Sequence, residues 1–429
     1  MRQLGVLDPN ALTDSLRRSA REAEKVLARQ APTRVLVAVP KTVGFLGEML
    51  VHRFTDTPPG GVPTPALSPG LLAQVALDEA LLGMAMGPNR FPRRADYERV
   101  SAELAHARLL FEARGWLADP RAYHRDPPPL TDPSVARGWA MGTGYERLLF
   151  PSGWLPREEE PGHQRWTHYE ANATATAVVL RHRDRPRPWV VAIHGMAMGY
   201  PMADFVGLGA LRLHRELGLN VVMPVLPLHG PRRVTRISGE AMLSFDLIDA
   251  LHALTQSMWD VRRVLSWVQT QDPTGVAVYG VSLGAYVASL LVGLTTGIDA
   301  VIAGIPVIDF PTLFETHAPH TIRLRGFEHE ILGETAAAVH SVVSPLAFPP
   351  LVPLDRRFIY AGMGDRMATP AQAHRLWQHW DEPSIGWYAG NHMGYLWSGA
   401  VRDFILESLR SSGFTDTDGD AVVAPPVPA

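Results

Sequence analysis

One stretch constrains this chain more than any other: Val276-Ala277-Val278-Tyr279-Gly280-Val281-Ser282-Leu283-Gly284-Ala285-Tyr286. Small and apolar residues able to pair in a buried strand run into G-V-S-L-G, and a helix-forming run follows. A serine at such a strand-to-helix turn is held in a strained backbone conformation, with its hydroxyl pointing out of the sheet. Gly280 and Gly284 lack the Cβ atoms that would clash where strand and helix pass so closely.

A turn of this kind needs a large sheet behind it, and the chain is long enough to build one. Its 429 residues have room for one large domain or two. A content of 46% hydrophobic and 19% charged residues is that of a folded globular protein. The 40 basic and 43 acidic residues give a formal net charge of -3, and no basic run carries interleaved aromatics. A nucleic-acid partner is therefore not expected. The absence of cysteine excludes disulfides, thiolate metal sites and cysteine nucleophiles. The opening M-R-Q-L-G-V-L-D-P-N lacks the apolar core and cleavage site of a signal peptide. The apolar window at 35–51 is broken by Pro40, Lys41 and Glu48 and makes a poor membrane span. The expectation is a soluble cytoplasmic protein with no transmembrane segment, a peripheral membrane contact being left open.

Residues 1–140 read as a helical N-terminal extension without a catalytic signature. Asp8-Pro9 offers an N-cap and a first-turn proline, and Leu12, Leu16, Ala20, Ala23 and Leu27 follow at helical spacing. Ser68-Pro69 begins a second helix with Leu71, Leu72, Val75 and Leu82 on its apolar side, ending at Gly87-Pro88. A third runs from about Arg94 to Arg114, and proline-rich joints separate the three. From Tyr145 the pattern turns to strands alternating with helices, which implies a mostly parallel central sheet flanked by helices over 141–410. Strands are expected at 145–150, 174–180, 189–193, 220–225, 276–279, 300–303, 358–361 and 385–388. Between 304 and 354 the alternation lapses in a proline-rich segment, too long for an ordinary connection and placed to act as a lid. The tail at 411–429 reads as disordered.

A serine hydroxyl is a weak nucleophile until a base removes its proton, and the base needs a partner to hold its tautomer. An acid and a histidine do follow Ser282, each just past a later strand: Asp365 in G-M-G-D-R and His392 in G-N-H-M-G. Both fall on the carboxyl edge of the sheet, as the serine does, where ligands sit in open α/β folds. Asp309, after the preceding strand, is a rival acid. No H-E-x-x-H pattern, P-loop or strand-placed G-x-G-x-x-G appears, so no metal or nucleotide cofactor is expected.

With these segments in that order, residues 145–410 resemble the α/β-hydrolase fold superfamily, whose chain order is Ser…Asp…His. The resemblance implies Ser282 as nucleophile, Asp365 as orienting acid and His392 as general base. It also implies an oxyanion hole from the backbone N–H groups of Leu283 and, in the H-G segment after the 189–193 strand, Met196. His194 is expected to shape that segment by hydrogen bonding and is a candidate for the substrate pocket. His229, in P-L-H-G-P-R-R, and Arg232 are candidates for the substrate pocket. The expected activity is hydrolysis of carboxylic esters, the partner being a small-molecule ester, and no cofactor is required; the Leu, Phe, Ile and Pro of the 304–354 segment suit either a hydrophobic acyl chain or the packing of the lid itself. Acyl transfer, amide or peptide cleavage by the same triad, and a non-catalytic binding protein that kept the fold stay open as alternatives.

Overall fold

Short, wholly buried strands form the middle of the computed structural model, which describes Gly44, residues 62–85 and residues 92–415. The helix expected after Asp8-Pro9, most of the 35–51 window and the tail beyond residue 415 lie outside the described residues. Among the described residues the strands are β1 (Ser134–Ala140), β2 (Thr143–Pro151), β3 (Thr174–Leu180), β4 (Trp189–Ile193), β5 (Asn220–Pro224), β6 (Val276–Val281), β7 (Ala300–Gly304), β8 (Arg357–Gly362) and β9 (Ser384–Tyr388). They form one sheet in the order β1-β2-β3-β5-β4-β6-β7-β8-β9. The pairs from β5 to β9 are parallel, and β1, β2 and β3 add on antiparallel.

The order reverses between β4 and β6. From β4 the chain passes outward to β5 through α3 (Pro201–Gly207) and α4 (Ala210–Arg215). From β6 it passes the other way to β7 through α6 (Leu283–Leu294), which follows the long α5 (Leu247–Gln269). Connections leaving neighbouring strands in opposite directions open a crevice at their carboxyl ends, the usual ligand site of such sheets. The strands supply both faces by simple alternation. On β4, Trp189, Val191 and Ile193 join one apolar cluster with α5 and α6, while Val190 and Ala192 join another with α3 and α4. The second cluster also takes in the C-terminal α11 (Gly399–Ser411).

The region before the sheet contributes two helices, α1 (Pro69–Ala85) and α2 (Arg94–Ala113). Ser68 Oγ accepts from Leu71 N at 3.1 Å, capping the start of α1 as its sequence leads one to expect. On α2, Tyr97, Val100, Leu104, Ala107 and Phe111 are buried in the same cluster that holds β6 and α6. Helix α2 therefore shares the main core. Between 304 and 354 lie three short helices, α7 (Phe310–His317), α8 (His320–Glu328) and α9 (Glu334–His340), and α10 (Pro370–His379) follows β8.

Some boundaries differ from the sequence reading. The sheet begins at Ser134 rather than Tyr145. Strand β1 is an exposed edge with no apolar alternation, so its sequence carries no strand signal. It forms by hairpin closure, Met141 and Gly142 both taking positive φ (49° and 69°) in the two-residue turn. The pattern before the β6 strand predicts a helix over about 255–270, but α5 starts eight residues earlier, at Leu247, because Asp246 accepts from Asp249 N and the first turn is buried. The sequence after the H-G segment predicts one helix over about 202–217, which the structure breaks into α3 and α4 at Gly209, whose φ is 60°.

Arg232 also differs, and its pocket assignment is corrected. It is 1% exposed, and its guanidinium donates to Val225 O (2.8 Å), Asn172 O (3.1 Å) and Asp260 Oδ2 (2.8 Å). Asp260 in turn accepts from Ser152 Oγ at 2.6 Å. The arginine is committed to the interior, where no substrate carboxylate reaches it.

Two stability measurements follow from this packing. Leu104→Ala on α2 should cost about 2–5 kcal/mol in denaturant unfolding, the loss for a fully buried leucine of the main core. A cost below about 1 kcal/mol would mean that α2 only rests on the surface. Arg232→Ala should cost about 3–5 kcal/mol by stranding the Asp260 carboxylate. It should leave the KM ratio of anionic to neutral substrates unchanged, and a selective rise for anionic ones would restore Arg232 to the pocket.

Candidate active site

The elbow has the geometry that its glycines permit. Ser282 sits at φ 57°, ψ −114°, a region costly for a residue with a Cβ. A Cβ on Gly280 would lie 2.1 Å from Gly284 O, and one on Gly284 would lie 2.0 Å from Ile193 O. Only glycine fits either place. Ser282 N donates to Gly304 O at 2.9 Å, tying the turn to the end of β7. Helix α6 begins at the next residue, so its first amides, Leu283 among them, have no acceptor within the helix.

The loops after β8 and β9 bring the other two residues to that turn. His392 Nε2 lies 3.0 Å from Ser282 Oγ, and His392 Nδ1 lies 2.7 Å from Asp365 Oδ2. The other oxygen of Asp365 accepts from the N–H groups of Met367 and Ala368, both at 2.8 Å, which fixes the carboxylate plane. The two loops are joined directly, Met363 N donating to Tyr388 O and Gly364 N to Gly390 O, each at 2.9 Å. Burial alone would depress His392, but the charge and hydrogen bond of Asp365, with the charge of Asp78, outweigh it and hold the imidazole above its ordinary value. Ser282 and His392 keep 9% and 7% of their surface, enough to meet a small reacting group. Such a chain of contacts can take a proton from the serine and stabilise the imidazolium that results.

The H-G segment after β4 runs beside the serine. A Cβ on Gly195 would lie 3.2 Å from Val281 O and 3.5 Å from Ser282 Cβ, which puts the backbone leading into Met196 against the turn. His194 is fully buried. Its Nε2 accepts from Leu226 N at 3.1 Å and its Nδ1 faces Gly195 O at 2.8 Å. Burial pushes His194 down to about 4, so both nitrogens of a neutral ring are used in holding the loop. His229 is also fully buried, with Nδ1 at 2.8 Å from Pro227 O and Nε2 at 3.3 Å from the Met196 sulfur. Burial, and after it the nearby His194, lower it to about 3. Both histidines thus support the H-G segment from beneath, a correction to their placement in the pocket. Gly199 N donates to Asp204 Oδ1 at 2.9 Å, and Ser238 Oγ donates to Met198 O.

Asp309 stands elsewhere. It caps α7 by accepting from Thr312 N at 3.0 Å and pairs with Arg375 at 3.2 Å. Among the described residues no group of three or more His, Asp or Glu side chains is arranged to hold a metal ion, and no helix is long and apolar enough to cross a membrane.

One group at the site escaped sequence reasoning. Asp78 on α1 accepts from the backbone N–H groups of His392 (2.9 Å) and Arg366 (3.0 Å), and from Asn391 Nδ2 (2.8 Å). Gln74, one turn earlier, accepts from Asn391 N at 3.2 Å, and Glu79 pairs with Arg366 at 2.9 Å. The signal was present: Asp78 falls on the apolar stripe of Leu71, Val75 and Leu82, where a carboxylate has no place unless it meets a partner.

No protein-family model matches the chain. An uncharacterized protein of Mycobacterium tuberculosis (strain CDC 1551 / Oshkosh), MT2702, is 39% identical over 356 residues, covering 81% of this chain and 83% of that protein. A second from the same species (strain ATCC 25618 / H37Rv), Rv2627c, is 38% identical over 356 residues with the same coverage. Among solved structures, an acetyl xylan esterase from Paenibacillus sp. R4 aligns with TM-score 0.47 and 13% identity, over 70% of this chain and 99% of that one. A puromycin-hydrolyzing peptidase of Mycobacterium tuberculosis aligns with TM-score 0.40 and 16% identity, over 66% and 40%. The reversal of strand order between β4 and β6, with the serine turn at that point and the acid and histidine loops beyond it, is the architecture of the α/β-hydrolase fold superfamily. The chain has that fold, and it belongs to one family with the two uncharacterized mycobacterial proteins.

Proposed function

We propose that this protein is a serine hydrolase that cleaves carboxylic esters through an acyl-enzyme on Ser282. The observation that carries the reading is the serial contact of Ser282 Oγ, His392 and Asp365, at 3.0 and 2.7 Å, with the serine in a strained turn at the head of a helix. His392 Nε2 takes the hydroxyl proton as Oγ attacks the ester carbonyl. Asp365 keeps the other ring proton on Nδ1 and offsets the positive charge that the ring acquires. The carbonyl oxygen becomes negative only as the tetrahedral intermediate forms. Backbone N–H groups of Leu283, at the head of α6, and Met196, in the H-G segment, meet that charge in this reading. His392 then returns the proton to the leaving alcohol. Water, deprotonated by the same imidazole, attacks the acyl-enzyme and releases the acid and the free serine.

A p-nitrophenyl ester series from acetyl to long acyl chains tests this directly. Ser282→Ala should abolish turnover and fluorophosphonate labelling without unfolding the protein, and His392→Ala should do nearly the same. Asp365→Asn should lower kcat by about 10³–10⁴-fold through the wrong histidine tautomer, whereas Asp309→Asn should change it by less than about tenfold. Turnover that persists in Ser282→Ala would end the reading, and a larger loss for Asp309→Asn would end the assignment of the acid.

The pH profile supplies an independent check. His392 must be neutral to accept the proton, and its surroundings favour the charged form. The acid limb of kcat/KM should therefore lie above the ordinary histidine value of about 6.5, activity falling as pH drops through it. A limb well below that value would mean that the neighbouring carboxylates do not act on His392.

A further inference from the structure

Helix α1 reaches the site from nearly three hundred residues away in the chain and places one carboxylate against both loops that matter. Asp78 is 0% exposed. Its Oδ2 accepts from the N–H of His392 itself and from the N–H of Arg366, the residue next to Asp365, while Oδ1 accepts from Asn391 Nδ2. Every one of these partners is an N–H donor. A carboxylate satisfies all three, and a carboxylic acid would turn its own proton toward a donor. Gln74 accepts from Asn391 N and, through its backbone carbonyl, from Asn391 Nδ2, so one face of α1 closes over the base loop.

This arrangement does more than fill space. The acid loop and the base loop hang from different strands, and a shift between them would stretch the 2.7 Å contact of Asp365 with His392. Asp78 binds a backbone amide in each loop with the same oxygen, which locks one against the other. It also adds a second negative charge beside an imidazole that becomes cationic in the transition state. Resting on the serine-hydrolase reading above, we propose that Asp78 is a positioning residue that sets both the placement and the proton affinity of His392.

The electrostatics of the groups around it agree. Burial, and after it the charge of Asp365, raise Asp78 to about 6, against the opposing pull of His392 and of the two backbone N–H bonds. Its folded value lies above the usual carboxylate range, so this group favours the folded state less as pH rises from about 4 through 6. At neutral pH its charge is held at the site against a cost in stability, which is characteristic of a functional group. Asp78 in turn raises His392. The other polar groups facing it are the Arg366–Glu79 pair and Tyr388, whose hydroxyl donates to Asn391 O at 2.7 Å.

The test is Asp78→Asn in the full chain, compared with wild type, Asp78→Glu and Ser282→Ala. Four quantities are read: kcat and KM for p-nitrophenyl acetate across pH, the His392 imidazole titration by NMR, and the thermal melt. The asparagine keeps the shape, loses the charge and turns an amide N–H toward donors. We expect kcat to fall about 10–100-fold with KM within about twofold. The His392 titration and the acid limb should both move down by about half to one pH unit, since removing a nearby negative charge disfavours the imidazolium. Asp78→Glu keeps the charge with displaced geometry and should leave the limb in place while kcat drops. Unchanged kcat and limb in Asp78→Asn overturn the proposal. So does a loss of kcat that only follows loss of folded protein while the His392 titration stays put. If Asp78→Asn folds poorly, a limb that moves in Asp78→Glu has the same force. Wild type that neither turns over esters nor labels with fluorophosphonate would instead remove the serine-hydrolase reading, and the His392 titration would still decide the influence of Asp78.

Discussion

The site depends on a backbone-to-backbone approach that no side chain could survive. Where β6 turns into α6, Gly280 lies against Gly284, and Gly284 lies against the last carbonyl of β4, at separations that a Cβ would bring to 2.0–2.1 Å. That crossing gives the chain room to pass from strand to helix without a loop, at the cost of about 1–3 kcal/mol of strain at Ser282. Every residue of α6 is buried, so its packing more than offsets the strain and leaves the turn no freedom to relax. The same contact sets the H-G segment beside the serine, because β4 and β6 pair in register up to Ile193 and Gly280. Ser282 and the neighbouring backbone are therefore positioned by one constraint.

Around this rigid centre the loops at the carboxyl edge are buried, and their backbone groups need partners other than water. The structure supplies them from side chains that arrive from elsewhere. His194 serves the amide of Leu226, Asn172 that of Leu228, Ser238 that of Gly230 and Asp204 that of Gly199. The histidine and acid loops are served from the far end of the chain by Asp78 and Gln74 of α1. This is why a helix outside the sheet belongs to the site, and why its contribution is polar on a face that otherwise reads as apolar.

Three histidines lie buried near one edge of the same sheet, yet they differ in chemistry because their neighbours differ. His194 and His229 meet backbone atoms, a sulfur and each other, and burial drives both toward the neutral form. His392 meets Asp365 directly and feels Asp78, and two negative charges reverse the effect of the same burial. Proton transfer suits the one whose charged form is stabilised; the other two can only hold the loops.

The sequence by itself determined what is written in local pattern. Apolar runs at 189–193 and 276–279 marked central strands, and the glycines around Ser282 marked a turn where strand and helix nearly touch. Asp365 and His392 were legible because each follows a strand that alternation identifies, and alternation with helices sends such ends to one edge of the sheet. Only the tertiary structure decided which distant groups meet. Strand β1 exists through hairpin pairing at an exposed edge and leaves no periodic trace. Arg232 read as a substrate-pocket candidate until the fold buried it against Asp260. Asp78 interrupts an apolar stripe, and its partners became visible only with α1 docked on two loops 288 and 314 residues ahead. Buried polar contacts across such separations depend on how elements pack, and packing is a property of the whole chain that no local spacing encodes.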